Sequence, residues 1–244
     1  MHDIEQSYWW FTGRQFLVKT VLERLRMNSF ERGKILDVGC GTGIILKLLE
    51  DFGQAFGTEL SPEAIHFLKQ RDLNLVVQSD ANLSIPFKDN TFLAVTCLDV
   101  VEHIDNDRSL IEEIFRVCKP GGHVIVTVPA FGFLWSTHDV ALHHKRRYSK
   151  KQMLMKIRHL NWKVIKCSYY NTALFLPILT ARKLQGFLLN HRPVQSDFSI
   201  KLPAWINKAL SVLFLLEIRG LKYLNFAFGV SLLLILQKPS EVGT

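Results

Sequence analysis

A glycine-rich turn that follows an acidic residue is the first feature of the chain with recognisable chemistry. Asp37 ends a hydrophobic run and precedes Gly39, Gly41 and Gly43. Glycine adopts positive φ angles and lets a ligand approach the backbone where a Cβ would block it. A dinucleotide-binding turn has the pattern G-x-G-x-x-G and needs a small residue where this chain has Ile44. The carboxylate would also repel a pyrophosphate, whereas it would not repel a cationic amino acid group.

The spacing of these glycines after an acidic residue is that of an S-adenosylmethionine pocket, and four further motifs follow in order. The five motifs lie at residues 37–43, 57–61, 79–81, 98–103 and 117–122. Together they resemble the class I S-adenosylmethionine-dependent methyltransferases, in the broad type 11 group that includes the ubiquinone and menaquinone enzymes. The resemblance covers about residues 35–130 and implies S-adenosylmethionine as the cofactor. A nicotinamide-dependent oxidoreductase and a cofactor-binding scaffold without catalysis are the alternatives.

The resemblance also implies which residues hold the cofactor. Glu59 would hold both ribose hydroxyls, because a carboxylate accepts two hydrogen bonds from a cis-diol. Leu60 would lie against the adenine, Asp80 would take its amino group, and the backbone N–H of Ala81 would face a ring nitrogen. Asp37 would bind the amino group of the cofactor, directly or through water, or would serve only as a hydrogen-bond acceptor at the strand end. The full set is Asp37, Gly39, Cys40, Gly41, Gly43, Glu59, Leu60, Asp80, Ala81, Leu98, Trp10 and Arg14.

Four adjacent aromatic residues stand near the start of a helix predicted over residues 2–27. They occupy positions 8–11, include Trp10, and are followed by Arg14. Neighbouring rings of this number cannot all face one stripe of a helix. One hypothesis is a lid that resembles the N-terminal lid of many members of the family. Its rings would shield the sulfonium by cation–π attraction, and Arg14 would pair with a carboxylate. The alternative is a helix docked on the domain.

A polar segment after the predicted fifth strand supplies candidate catalytic and substrate residues, because that edge of the sheet lies beside the cofactor. An oxygen acceptor needs a base, for which the candidates are His138, His143 and His103. An arginine pair would clamp a phosphate or carboxylate. The substrate set is Asp99, Trp135, Arg146, Arg147 and Tyr148. No metal site is predicted, since two adjacent histidine rings diverge and no cysteine is near. An ordinary polar loop is the alternative for this segment.

Hydrophobic runs alternate with helical patterns along most of the chain. Strands are predicted at residues 34–38, 55–59, 75–79, 92–98, 123–128, 162–170 and 228–237, and a turn at 119–122. The alternation predicts an α/β, Rossmann-like, mostly parallel sheet. The resemblance implies seven strands, with the last one antiparallel between the fifth and sixth. The predicted parts are a helical lid at 1–30, a methyltransferase domain at 31–170 and 227–240, and a helical insertion at 171–226 that caps the substrate.

Composition and charge limit the possible partners. The chain has 244 residues, 48% of them hydrophobic, which excludes a disordered protein. Residues 1–144 hold 13 basic and 19 acidic residues, whereas residues 145–244 hold 17 and 3. The basic, apolar second half suggests peripheral membrane contact, a lipid-like substrate or an oligomer formed through the insertion. Nucleic acid is not expected, because aliphatic rather than aromatic residues accompany the basic ones.

Four scattered cysteines and a polar N-terminus favour a cytoplasmic protein, which could lie at the inner face of the membrane. The apolar stretches at residues 173–180 and 209–216 are too short to span a bilayer. The expected acceptor is an amphiphile such as a lipid, a quinone precursor or a lipid-linked sugar. A small soluble metabolite under a self-contained cap is the alternative.

Overall fold

Seven strands form one mixed sheet with its parallel strands side by side. The computed structural model describes residues 5–26, 33–188 and 202–240. The strands are β1 (Lys34–Val38), β2 (Gln54–Glu59), β3 (Val76–Gln78), β4 (Phe92–Leu98), β5 (Cys118–Pro129), β6 (Lys163–Tyr170) and β7 (Ser231–Gln237). Their order is β3-β2-β1-β4-β5-β7-β6, and β7 is antiparallel to both β5 and β6. The predicted fold class, with its antiparallel last strand, is confirmed.

Helices cover both faces of this sheet. The α-helices of the described residues are α1 (Trp9–Arg26), α2 (Ile44–Leu49), α3 (Pro62–Gln70), α4 (Asp107–Val117), α5 (Thr137–Ala141), α6 (Lys150–Ile157), α7 (Phe175–Leu188) and α8 (Ala204–Leu221). The first helix was predicted over residues 2–27, of which residues 2–4 and 27 lie outside the described part. It begins at Trp9, whose backbone N–H donates to the Asn207 side chain at 2.9 Å. This bond satisfies a backbone donor that the helix itself leaves unpaired.

The predicted turn at residues 119–122 is instead part of β5, which begins at Cys118 rather than at residue 123. Backbone hydrogen bonds join Gly121 and Gly122 to Lys238, so this segment continues the pairing beyond the end of β7. A register shift between β4 and β5 accommodates it. A Cβ on Gly122 would lie 2.8 Å from the carbonyl oxygen of Lys119, which explains the glycine. A bulged strand therefore replaces the expected turn.

Alternating side chains of the strands build two cores, one on each side of the sheet. Leu36 and Val38 of β1 face a cluster that includes residues of α4 and α6. Ile35 faces the opposite cluster, which contains residues of α1, α2 and α8. The insertion thus contributes α8 to the main core of the protein. No helix among the described residues has the length and apolar character that crossing a membrane requires.

Candidate active site

The glycine turn after β1 has the conformation that its sequence predicts. Gly39, Gly41 and Gly43 have φ angles of 68°, 54° and 88°. A Cβ on Gly39 would lie 2.6 Å from Cγ2 of Val100, so packing alone demands glycine there. A Cβ on Gly41 would meet no atom of the described residues within 4 Å. The turn is therefore compact at Gly39 and open at Gly41, as a cofactor cradle requires.

Substitution of Gly41 tests whether this open space holds the cofactor. We expect Gly41→Ala to weaken S-adenosylmethionine binding about tenfold or more, because its Cβ would occupy the ligand's space. The matched control is Gly121→Ala, which has a similar positive φ of 77° in β5. Both variants carry the same backbone strain, but only the first should change the dissociation constant measured by calorimetry. An equal loss of affinity in both variants would contradict the assignment.

Glu59 ties the glycine turn to the end of β2. Its Oε2 accepts a hydrogen bond from the backbone N–H of Gly41 at 2.8 Å, and its Oε1 accepts from Leu60 and Ser61 at 2.9 and 2.8 Å. An ionised carboxylate has about four acceptor positions, so beside these three donors one position, on Oε2, remains for a ribose hydroxyl. The backbone of Leu60 is thus held next to the predicted ribose ligand, and its side chain is exposed.

The remaining predicted cofactor residues lie on neighbouring strand ends. Asp80 and Ala81 follow β3, where Oδ1 of Asp80 accepts hydrogen bonds from Asn82. Cys40 is buried in the turn, and burial raises the pKa of its thiol. Leu98 ends β4, and its carbonyl oxygen accepts a hydrogen bond from Arg14. The parallel order β3-β2-β1-β4 brings all these ends to one edge. All four cysteines of the chain are buried and free.

Asp37 is a buried carboxyl group at the end of β1. Its Oδ1 accepts a hydrogen bond from the Thr96 hydroxyl at 2.6 Å. Burial, which outweighs this hydrogen bond, raises the pKa of Asp37 to about 6. In the unfolded chain the pKa has its ordinary value of 3.8. The folded state therefore holds the proton more tightly, and the free energy of unfolding falls as the pH rises from about 4 to about 6.

Asp37→Asn should therefore stabilise the cofactor-free protein at neutral pH. A shift of about two pKa units corresponds to about 3 kcal/mol, which the variant should gain above pH 7 and not at pH 4. Chemical denaturation at both pH values measures this difference, and Asp51→Asn at an exposed site is the control. The same variant should bind S-adenosylmethionine more weakly, since it lacks the charge opposite the ammonium group. A gain of stability that does not depend on pH would contradict this explanation.

A cavity of about 520 Å³ opens beyond the carboxyl ends of β4 and β5. Its wall includes Trp10 and Arg14 from α1, Asp99 after β4, and residues of α7 and α8. Nη1 of Arg14 lies 3.4 Å from Oδ2 of Asp99. The sequence predicted that Arg14 pairs with a carboxylate, and in the structure this carboxylate is a side chain of the same protein. Asp99 has a φ of 55°, a left-handed conformation that aspartate adopts more readily than most residues other than glycine, and bonds to Thr127 hold it there. The cavity therefore adjoins the cradle at the end of β4.

The structure divides the predicted catalytic and substrate residues into two groups. Those that line the cavity are His103, His138, Asp99 and Arg147. His143, Trp135, Arg146 and Tyr148 are not part of its lining. The side chains of His143 and Trp135 are exposed. Arg146 pairs with Asp107 at 3.3 Å, and the Tyr148 hydroxyl donates to the same carboxylate at 2.7 Å within the core. These bonds give Arg146 and Tyr148 structural partners away from the cavity.

His144, rather than its neighbour His143, lines the cavity. Its Nδ1 lies 2.9 Å from Oδ1 of Asp139, and its Nε2 lies 3.9 Å from Oε1 of Glu102. His143 has a φ of 57°, which turns the two adjacent rings to different sides. The sequence analysis did not predict His144, because the left-handed backbone of His143 cannot be recognised from the amino-acid pattern. Asp139 follows Ser136 by three residues, and this capping-box spacing was the signal in the sequence that the local structure is fixed.

A further polar cluster surrounds Glu102 on the same wall. Burial, together with the charge of Asp99, raises the pKa of Glu102 well above its usual range. Burial and the neighbouring His144 lower the pKa of His103. One ligand atom each from Glu102, His103 and His144 lies within 4.8 Å of the others, which is close enough to hold a metal ion. The sequence predicted no metal site.

Comparisons with known proteins find methyltransferases among the proteins that are similar to this chain. Residues 36–126 match the family described as a methyltransferase domain. The uncharacterized protein MJ1123 of Methanocaldococcus jannaschii is 26% identical over 65% of this chain and 78% of its own length. The ubiquinone biosynthesis O-methyltransferase of Vibrio cholerae is 29% identical over 48% of this chain. This match spans 54% of that enzyme, or about half of its length.

Solved structures share the fold over most of the chain. The complex of the Haloferax volcanii Trm112 methyltransferase activator and a putative methyltransferase matches with a TM-score of 0.60, covering 100% of this chain and 94% of that one, at 18% identity. A SAM-dependent methyltransferase from Archaeoglobus fulgidus matches with a TM-score of 0.58, covering 92% and 94%, at 19% identity. At such identities these two structures support the fold alone.

Proposed function

We propose that this chain, whose residues 36–126 match the family described as a methyltransferase domain, is a class I S-adenosylmethionine-dependent methyltransferase that methylates an acceptor bound in the cavity beyond the sheet. The observation that carries the proposal is the contact between the two sites at the end of β4. Leu98 and Arg14, which are predicted to lie on the cofactor side, are joined by a hydrogen bond, and Asp99 and Arg14 line the cavity. An acceptor in the cavity would therefore lie next to the reactive end of the cofactor.

The residues present fit S-adenosylmethionine. The turn is open at Gly41, and carboxyl groups stand at Asp37, Glu59 and Asp80 where the amino acid, ribose and adenine would bind. When bound, the cofactor supplies an electrophilic methyl group on a good leaving group. The protein then contributes mainly the position of the acceptor and the exclusion of water. For an oxygen acceptor, His103 and His138 remain candidates to receive the proton, and His144 joins them.

An amphiphilic acceptor fits the mixed lining of the cavity. Apolar side chains from the insertion, among them Ile178, Leu202 and Leu210, share the wall with Arg14, Arg147 and Arg182. A lipid, a quinone precursor or a lipid-linked sugar combines apolar and polar parts in this way. A small metabolite remains the alternative, because a cavity of about 520 Å³ lies within the usual range for small ligands.

Methyl transfer is tested by incubating the full chain with S-adenosylmethionine that carries a labelled methyl group. A total lipid extract and a pool of water-soluble metabolites serve as separate acceptor sources. We expect label in the lipid extract, and markedly less of it with Gly41→Ala when the cofactor concentration lies below the dissociation constant of the variant. Label only among the water-soluble products would support the small-metabolite alternative. A chain that does not bind the cofactor would overturn the proposal altogether.

We also propose that the outer face of α8 lies on an anionic lipid surface. Its exposed apolar residues, Trp205, Val212, Leu213 and Leu216, recur at helical spacing, and Trp205 is 73% exposed. Lys208, Arg219 and Lys222 are exposed around this face. An apolar stripe between basic residues is typical of interfacial helices. Arg182 does not belong to this surface, because its side chain is 8% exposed in the cavity wall.

Co-sedimentation with vesicles tests the membrane proposal. The variant replaces Lys208, Arg219 and Lys222 with glutamate, and the control replaces Lys150 and Lys151, which are exposed on α6. The helices α6 and α8 pack on opposite faces of the sheet, so the control changes charge away from the proposed surface. We expect binding to anionic vesicles to be lost only in the α8 variant. Absence of binding by the unaltered chain would instead favour a cap or an interface between copies.

A further inference from the structure

Two histidines and one glutamate meet in the wall of the cavity, just beyond the end of β4. They are Glu102, His103 and His144, and all three line the cavity. One ligand atom from each lies within 4.8 Å of the other two. Two imidazoles and one carboxylate form a ligand set that binds zinc and other divalent transition-metal ions in proteins.

Hydrogen bonds fix the orientation of both imidazole rings. Nδ1 of His103 lies 3.3 Å from the carbonyl oxygen of His143, and Nδ1 of His144 lies 2.9 Å from Oδ1 of Asp139. Carbonyl and carboxylate oxygens only accept hydrogen bonds, so each Nδ1 carries a proton. In the neutral rings, each Nε2 then has a lone pair that can bind an ion. Histidines that bind metal ions have this arrangement, in which the second ring nitrogen donates to a carbonyl or carboxylate oxygen.

Glu102 gives a second and independent indication of an ion at this place. Its side chain is fully buried, and neither carboxyl oxygen makes a hydrogen bond to another described residue. Its Oε1 lies 3.9 Å from Nε2 of His144, which is too long for a hydrogen bond. A protonated Glu102 would be uncharged, but its O–H group would still lack an acceptor among the described residues. Buried polar atoms without partners are uncommon in folded proteins, and each one calls for an explanation.

The arginines whose charges act on Glu102 have other carboxylates as ion-pair partners. Arg14 lies 3.4 Å from Asp99, and Arg147 lies 2.7 Å from Asp139. Burial of a carboxylate is unfavourable unless a cation or hydrogen-bond donors approach it. A metal ion between Glu102 and the two histidines would supply this positive charge.

We propose that Glu102, His103 and His144 bind a divalent transition-metal ion, and that zinc suits these ligands. Atoms about 2.1 Å from a tetrahedral zinc ion lie about 3.4 Å apart, so Glu102 and His144 need to approach each other by only about 0.5 Å. Three protein ligands leave a fourth position for a ligand from the cavity. The sequence analysis expected no metal site because the rings of His143 and His144 diverge, and only His144 of that pair belongs to the cluster.

The fourth position would take a hydroxyl oxygen of the acceptor, which makes the acceptor a hydroxyl compound. The positive charge of the ion lowers the pKa of the hydroxyl, and His138, which also lines the cavity, would receive its proton. The oxygen then forms a bond to the methyl carbon while the carbon–sulfur bond breaks, and the electron pair of that bond stays on the sulfur. This use of the ion rests on the proposed function, whereas binding of the ion does not.

Titration of the full chain with metal ions, after removal of bound ions by a chelator, tests the site. We expect calorimetry to show one zinc ion per chain, and magnesium, which prefers oxygen ligands, to bind at least about tenfold more weakly. Cobalt(II) should give visible absorption bands when it binds. Acetohydroxamate, a small oxygen ligand, should change these bands, and unchanged bands would overturn the open fourth position.

Variants of the ligands locate the ion. Glu102→Gln keeps the side-chain shape and His103→Ala changes a half-buried residue, and each should weaken zinc binding about 100-fold or more. The matched control is His143→Asn at the exposed neighbour, because asparagine also adopts its left-handed conformation readily. This control should bind zinc as tightly as the unaltered chain.

Two results would overturn the inference. One is the absence of zinc binding by the unaltered chain, and the other is undiminished affinity in both ligand variants, which would place the ion on other residues. S-adenosylhomocysteine is titrated separately into the metal-free chain. Failure of that titration would count against the proposed function alone, since zinc binding is measured without the cofactor.

Discussion

Replacing Glu59 with alanine is expected to weaken S-adenosylmethionine binding by about 10- to 100-fold. The variant loses the carboxylate that would accept a hydrogen bond from a ribose hydroxyl, and a bond to a charged group contributes about 1.5–3 kcal/mol. It also releases the backbone N–H groups of Gly41, Leu60 and Ser61, which Glu59 holds at 2.8–2.9 Å. Calorimetric titration of the cofactor measures the loss directly.

Two further variants separate ribose binding from support of the turn. Glu59→Gln keeps one acceptor oxygen and the side-chain shape, so we expect an intermediate loss of affinity with little change in melting temperature. Glu63→Ala removes an exposed carboxylate in the first turn of α3 and should leave the affinity unchanged. Unaltered affinity in Glu59→Ala would overturn the ribose assignment. A large loss of affinity in Glu63→Ala would show that cofactor binding depends on the overall negative charge of this region and not on Glu59 in particular.

Phe214→Ala is expected to have the largest effect on stability, about 3–5 kcal/mol. Phe214 of α8 is 2% exposed. Its ring stacks on Trp10 at 5.6 Å and on Tyr170 at 6.1 Å, with interplanar angles of 8° and 2°. A Cβ on Gly13 would lie 2.1 Å from the Phe214 ring, so α1 and α8 are in close contact at this point. Removal of the ring would leave a void between the two helices and the sheet.

Chemical denaturation and thermal melting measure this loss, which corresponds to a fall in melting temperature on the order of 10 °C. The matched control is Phe228→Ala, because Phe228 is 46% exposed and should contribute little. Because Trp10 also lines the cavity, Phe214→Ala should disturb acceptor binding as well. Equal free energies of unfolding for the two variants would contradict the conclusion that α8 is part of the main core.

The aromatic cluster at residues 8–11 has features of both structures considered in the sequence analysis, a lid and a helix docked on the domain. Trp9 is buried, and Trp9 and Trp10 pack against Phe214, as a docked helix would. Trp10 and Arg14 also line the cavity, as a lid would. Shielding of the sulfonium by these rings, and the division of the chain into lid, domain and cap, remain predictions.

Local patterns were sufficient for most of the strands and for the glycine turn, whereas the resemblance to the family supplied the strand order. A buried parallel strand is a short apolar run, and the glycines of the turn have the positive φ angles that glycine adopts most readily. The strand β4 has the predicted bounds, Phe92–Leu98, and Ser61 caps α3 ahead of Pro62 as such a sequence predicts. These features depend on residues close in sequence, so the amino-acid sequence by itself determined them.

Tertiary structure alone decided which polar residues face the acceptor cavity. Arg182 joins Asp139 from 43 positions away because α7 packs beside the strand ends, and no local pattern encodes that distance. His144 replaces His143, and Tyr148 turns into the core, because a left-handed residue at 143 and the bonds to Asp139 and Asp107 set their directions. Secondary structure follows from the periodicity of the chain, whereas the wall of a cavity is built by side chains that only packing brings together.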